Sequence, residues 1–240
     1  MSAKTNREIK RDVDRLLPNV RLERIFDVGG NVGQTAQALS KYHPEAELWC
    51  FEPVAASFEQ LTRATEAVRA RAFNVALGAQ NGSGLVTARG TSTNNRIVGP
   101  DGTPATTEEI RIVTGDAFCA EHGVDRIDYL KVDTEGHELE VLRGFHRMLS
   151  RYAIDLIELE AGMNWDNTKH VPIERLKGFL EPMGYLIFRV YEQVAERHGR
   201  PHLRRCNLLF LSRPIVEGNL RETGRRAAGA AAGPPPHAAP

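Results

Sequence analysis

The chain has 240 residues, enough for one domain with a sizeable core or for two small ones. Its 31 Lys and Arg balance its 31 Asp and Glu, which excludes a global basic field of the kind that drives sequence-independent nucleic-acid binding or adhesion to anionic lipid. Three scattered cysteines without CxxC spacing exclude a disulfide scaffold and give no zinc pattern, and no run of ~20 apolar residues offers a membrane span.

Residues 5–17 set Ile9, Val13, Leu16 and Leu17 at helical spacing and Pro18 blocks continuation, so 1–20 reads as an N-terminal amphipathic helix. The charged start has no apolar run and is not a secretory signal; the expected location is the cytoplasm. RIFDVGG (24–30) predicts a buried strand running into glycines, and VGQTAQALSKYH (32–43) a helix ending near Pro44. ELWCFEP (47–53) is a strand, 55–69 a helix and RAFNVALG (71–78) a third strand. Residues 79–115 break the alternation: two strands flank a long polar loop, an insertion rather than a helix.

Alternation then resumes. DAFCAEHG predicts a short helix with Asp116 as N-cap, IDYLKVD (127–133) a strand, and 137–150 a helix. AIDLIELE (153–160) is a strand and 172–183 a helix. GYLIFRVY (184–191) and CNLLFLS (206–212) are closing strands with no room for a crossover helix, so they pair antiparallel. From 214 to 240 the chain is largely Ala, Gly and Pro with little to bury, which predicts a disordered tail. The expected fold class is α/β and Rossmann-like. Residues 21–213 form a seven-stranded, mostly parallel sheet with an antiparallel edge strand and helices on both faces.

The most informative stretch is Asp27-Val-Gly-Gly-Asn-Val-Gly33, which leaves a strand and opens a helix. Gly29 suits a tight turn with positive φ, and Gly33 suits close approach of a ligand and packing of helix on strand. Free N–H groups at the helix start favour a negative group such as a carboxylate. The spacing is D-x-G-x-N-x-G. Asn31 and Gln34 stand where a dinucleotide fingerprint requires glycine and Gly or Ala, which disfavours NAD. Glu52 ends the second strand 19 positions beyond Gly33, the offset at which an acid accepts hydrogen bonds from ribose hydroxyls.

IFDVGGNVGQT, CFEPVAASFEQL, NVALG, IDYLKVDTEGHELEVLRGF and LIELEAG together resemble the FkbM family of S-adenosylmethionine-dependent methyltransferases. KVDTEGHELEVLRG is the most family-specific of these, since many methyltransferases share DVGGNVG. The resemblance implies a class I methyltransferase fold, S-adenosylmethionine as cofactor, and methyl transfer to oxygen. The acceptor it implies is a small molecule or glycoside, often a sugar hydroxyl of a natural product or glycolipid; the segment from Glu160 to Gln193 looks like a subgroup linked with polysaccharide modification. Carried over, Asp27, Gly29, Asn31 and Gly33 would hold the methionine portion, Glu52 the ribose, and Asn74 and Ala76 would lie beside the adenine. An NAD-linked oxidoreductase and a non-catalytic cofactor-binding module stand as the alternatives.

Methyl transfer asks the protein to align nucleophile, methyl and sulfur, and a hydroxyl needs a base. Asp133 ends the fourth strand of the main sheet, with Glu135 two residues on and His137 at the next helix start. Asp133 is the first choice for a base or substrate-orienting carboxylate; turn capping is the ordinary use of such residues. Asp133 and Glu135 could instead bind magnesium, with Glu158 and Glu160 as further oxygen donors from one strand face, although the metal-free reading is preferred. In the loop after the fifth strand, Asn164, Asn167 and His170 could hydrogen-bond a sugar, Trp165 could stack on it, and His170 could serve as base. Asn94 and Asn95, within the insertion, would belong to a substrate lid. Arg204, Arg205 and Asn207, at the start of the last strand, could reach the cleft, with surface solvation the preferred role for the arginines. Neither nucleic acid nor membrane is expected as partner, and a homo-oligomer is compatible with the sequence.

Overall fold

The computed structural model describes residues 3–87, 97, 107–165, 167, 169–196 and 199–219. The chain runs α1 (Ala3–Leu16), β1 (Arg24–Val28), α2 (Gln34–Tyr42), β2 (Glu47–Phe51), α3 (Ala55–Thr65) and β3 (Ala70–Phe73). It continues through β4 (Ala76–Leu77), β5 (Gly82–Thr87), β6 (Thr107–Val113), α4 (Gly115–Glu121), β7 (Ile127–Val132), α5 (Glu138–Gly144) and α6 (His146–Ser150). Then come β8 (Ile154–Gly162), α7 (Ile173–Leu180), β9 (Tyr185–Ala195) and β10 (Leu203–Ser212), with a short helix over 213–219.

Seven strands form one sheet in the order β3-β2-β1-β7-β8-β10-β9. All neighbours from β3 to β8 pair parallel, as the helical crossovers dictate. The reversed strand is β10, antiparallel to both β8 and β9, so it lies one place inside the edge rather than at it. The reason is burial: LLFL fills β10 with residues covered on both faces, whereas β9 keeps Leu186 and Val190 exposed. The sheet is covered by apolar layers on its two faces. One gathers Phe26, Leu130, Ile157 and Phe210 with α4 to α7. The other gathers Ile25, Tyr129, Leu156 and Leu209 with α1 and α2.

Several boundaries differ from the sequence reading. The expected strand 71–78 divides after Phe73, and β4 joins β5 and β6 in a separate three-stranded sheet, β4-β6-β5. Thr114, not Asp116, caps α4: its hydroxyl accepts from Ala117 N at 3.2 Å. Asp116 instead accepts from the backbone N–H of Arg147 (2.8 Å) and Met148 (3.0 Å), at the start of α6. The helix expected over 137–150 breaks at Phe145 into α5 and α6. Residues 213–219 are helical where a disordered tail was expected from 214, because Ile215 and Val216 find apolar cover on the α1 face. α1 buries Ile9 and Val13, with Leu17 just after it, against that same core and contacts α2 and β9. No helix among the described residues is long and apolar enough to cross a membrane.

Candidate functional site

The turn after β1 builds one wall of a cavity of about 410 Å³ at the carboxyl ends of the parallel strands. Gly29 (φ 87°) and Asn31 (φ 46°) both adopt left-handed backbone. The N–H groups of Gly29 and Gly30 donate to Phe51 O at 3.0 and 2.9 Å, tying the turn to β2. A Cβ on Gly29 would stand 2.1 Å from Asp133 O, so glycine is what lets the β1 and β7 ends meet. Gly33 acts differently, since its Cβ would collide with Ala64 on α3 at 2.6 Å. Gly33 therefore packs helix against helix and does not line the cavity. The Asn31 side-chain oxygen is buried and accepts no hydrogen bond from any of the described residues.

Glu52 lies across from this turn, 7% exposed. Its carboxylate accepts from Asn31 N (3.0 Å) and Val54 N (2.9 Å), which fixes its orientation and leaves lone pairs toward the cavity. Burial pushes this carboxyl up to about 7, against the pull of the two N–H donors. Ala76 lines the cavity beside Val75 and Leu77. Asn74 does not; it is exposed, and its amide donates to the carbonyls of Glu52 and Pro53 at 2.9 Å each, clamping the chain after β2.

At the other end stand Asp133, Glu135, Glu160 and His170. They converge although they come from the end of β7 and the loop after it, β8 and the loop before α7. Beneath them runs a row of charge that the sequence reading missed. Asp27, Lys131 and Glu158 are register partners across β1, β7 and β8. Lys131 Nζ lies 3.2 Å from Asp27 and 3.3 Å from Asp133, fully buried. Burial alone would lower the Lys131 pKa, but Asp133 and Asp27 outweigh it and hold the ammonium charged. Burial would raise Asp133; Lys131 overrides it and holds this carboxylate below its ordinary range. Asp27 thus lies under the cavity floor and does not line it. Glu158 is likewise internal, accepting from Tyr129 OH and from Asn207 Nδ2 (2.8 Å).

Glu135 sits at φ 52° in a loop held by another acid. One Glu138 oxygen accepts from Thr134 N (3.1 Å), Thr134 Oγ1 (3.3 Å) and Gly136 N (3.1 Å). Burial, then the Asp133 charge, raises the Glu135 pKa. Glu160 is ion-paired to Arg205 and lies 2.7 Å from His170 Nε2. Burial, then Asp133, pushes Glu160 up to about 8, and burial with Arg205 drives His170 down to about 4, so His170 is neutral. One oxygen each from Asp133, Glu135 and Glu160 lie within 4.8 Å of one another, close enough to hold a cation. Lys131 and Arg205 already contact two of the three, Asp133 and Glu160.

The loop after β8 is stitched to β10: Asn164 Nδ2 donates to Leu203 O and Asn167 Nδ2 to Arg204 O, each at 3.1 Å. Both asparagines shape the rim and neither lines the cavity. Trp165 is 89% exposed and stands outside it. Asn94 and Asn95 lie outside the described residues. Arg204 and Arg205, for which the sequence prefers solvation but leaves the cleft open, are both cavity walls, as is Lys169. The available signal for Lys131 is a charge between Leu130 and Val132 in a strand flanked by other buried strands, which demands a buried partner.

The methyltransferase FkbM domain matches residues 27–187. The hexuronic acid methyltransferase AglP of Haloferax volcanii is 29% identical over 161 residues, 65% of this chain and 64% of that protein. The chain therefore spans just under two thirds of that relative's length. Among solved structures, magnesium protoporphyrin IX methyltransferase (ChlM) from Synechocystis PCC 6803, with bound SAM, superimposes with a TM-score of 0.51 at 10% identity, over 88% of this chain and 79% of that one. The METTL16 MTase domain gives 0.50 at 14% identity, over 89% and 69%. At such identities the two structures speak for the fold alone. The matched stretch runs from the aspartate that opens the glycine turn through to β9, and the chain belongs to the FkbM methyltransferase family.

Proposed function

We propose that the protein transfers a methyl group from S-adenosylmethionine to a hydroxyl oxygen of a sugar-type acceptor. One observation carries this reading: a single cavity joins a buried carboxylate suited to a ribose, Glu52, to a second set of acids around Asp133, with the Gly29–Asn31 turn between. The residues fit that cofactor. Glu52 is oriented by two backbone N–H groups, and Asn31 keeps an uncommitted buried acceptor. When bound, S-adenosylmethionine supplies a methyl already activated on a sulfonium.

The acceptor end divides the work by electrostatics. Asp133, held ionised by Lys131, is a poor proton acceptor but a firm hydrogen-bond acceptor that orients the hydroxyl. Glu135, raised by burial and by Asp133, is better matched to neutral pH and takes the hydroxyl proton. His170 has its Nε2 committed to Glu160, so it serves to position that carboxylate. The hexuronic acid named for the Haloferax relative supports a sugar as acceptor class. The test is calorimetry with S-adenosylhomocysteine and with NADH, followed by methyl-donor turnover on simple glycosides. Binding of the homocysteine nucleoside alone, with turnover, is expected. Preference for NADH would replace the reading with an oxidoreductase, and cofactor binding without turnover on any hydroxyl acceptor would leave a binding module.

A further inference from the structure

Arg204 lines this cavity without an ion pair among the described residues, although its charge acts on Glu135 and His170 nearby. Its neighbour Arg205 is spent on Glu160 and Glu192, and Lys131 on Asp27 and Asp133. Among the described residues no carboxylate lies within ion-pair distance of the Arg204 guanidinium, and its buried Nε donates to nothing. The side chain is half-buried, and its buried Nε leaves a desolvated donor that a ligand acceptor would satisfy.

The backbone aims this side chain. Leu203 pairs with Ala195 and Arg205 with Val194, so Arg204 is the extra residue of a β-bulge on β10. Bulges re-aim side chains and are enriched beside active sites. The bulge is pinned from the other side, because Arg204 O accepts from Met163 N (2.9 Å) and Asn167 Nδ2 (3.1 Å). The same carbonyl that fixes the acceptor-side loop thus fixes the arginine.

We infer that Arg204 recognises a carboxylate carried by the acceptor, which makes the substrate an acidic sugar of the uronic type; this rests on the sugar O-methylation reading above. Position separates the acceptor from the cofactor as the source of that anion. β10 stands beyond β7 and β8 from β1, whose glycine turn faces Glu52. Charge separates carboxylate from phosphate. Asp133, Glu135 and Glu160 face the same space, with Lys169 and neutral His170 beside them. Such a setting admits one negative charge opposite a planar two-pronged donor more readily than a dianion.

The test is binding of a methyl glucuronoside and of the matching methyl glucoside to the protein loaded with S-adenosylhomocysteine. The glucuronoside is expected to bind about tenfold or more tightly, with a lead that shrinks as salt rises. Arg204→Met is expected to erase that lead while keeping homocysteine-nucleoside affinity, which also shows the variant folded. Arg204→Lys is expected to keep part of the lead, since charge remains without the fork. Equal binding of the two sugars by the wild type, or a lead that survives in Arg204→Met, overturns the inference and leaves sugar methylation standing. Nucleoside binding with neither sugar bound removes the sugar acceptor along with its charge.

Discussion

Glu52 is the residue whose isolation the ligand is expected to relieve. Its carboxyl rises from 4.5 to about 7 because burial disfavours the charge. A raised carboxyl pKa means the folded protein keeps a proton that the unfolded chain releases. The stability linked to Glu52 is therefore fullest below pH 4.5 and declines as pH rises through about 7. Glu52→Gln cannot ionise, so between pH 5 and 8 it should gain about 2–3 kcal/mol on the wild type, read from denaturant unfolding of the ligand-free protein. A gap that stays constant with pH would show the carboxyl is not raised. The same variant should bind cofactor about tenfold or more weakly, having lost a charged acceptor. Asp133→Asn should behave oppositely, with cofactor affinity kept and turnover lowered by roughly 10²-fold or more. Wild-type turnover in that variant would remove Asp133 from the acceptor end. Lys131→Met should cost about 3–5 kcal/mol, because Asp27 and Asp133 then lose the ammonium they share. Adding Asp27→Asn should return much of that loss, and a double-mutant cycle with no coupling would mean the pair acts independently.

Among the elements, the loop between β7 and α5 decides whether the acids converge. Glu138 satisfies two loop N–H groups and the Thr134 hydroxyl at once, holding Glu135 at positive φ. Glu138→Ala should cut single-turnover methyl transfer by about 10²-fold through misplacement, with cofactor affinity nearly intact. Glu138→Gln, which keeps one acceptor oxygen, should recover most of it; equal loss in both would point to charge rather than the clamp. The acids themselves were legible in the sequence. Asp133 ends an apolar strand, and Glu158 and Glu160 share a face by simple alternation. Only one of the latter two reaches the cavity, because Tyr129 and Asn207 on neighbouring strands claim Glu158. That depends on strand order, which local periodicity does not carry. The same limit explains Arg204, whose aim comes from a register slip between β9 and β10, and the exchange of edge and inner strand in that hairpin. Asn74 and Asp116 occupy expected positions but bond to backbone far along the chain, Asp116 to residues 31 and 32 positions away.

At the scale of the molecule, the cavity joins elements of both sheets and a helix. Its walls draw on the β1 turn, the start of α3, the three-stranded sheet, the β7 loop and β10. A ligand touching all of them adds its binding free energy to the cooperative unfolding of the whole chain. At a concentration ~100 times its Kd, a ligand that binds only the folded state stabilises by about 2.7 kcal/mol. For a chain of this size each kcal/mol raises Tm by roughly 2–4 °C, so S-adenosylhomocysteine should raise it by about 5–10 °C. NADH at the same concentration should leave Tm unchanged, because Asn31 and Gln34 stand where its pyrophosphate needs small residues. The variants divide the effect by position: Glu52→Gln, binding about tenfold or more weakly, should lose about half of the rise or more, whereas Arg204→Met, at the acceptor end, should keep it. An equal rise with NADH, or one that Glu52→Gln leaves intact, would place the nucleoside somewhere other than beside the β1 turn.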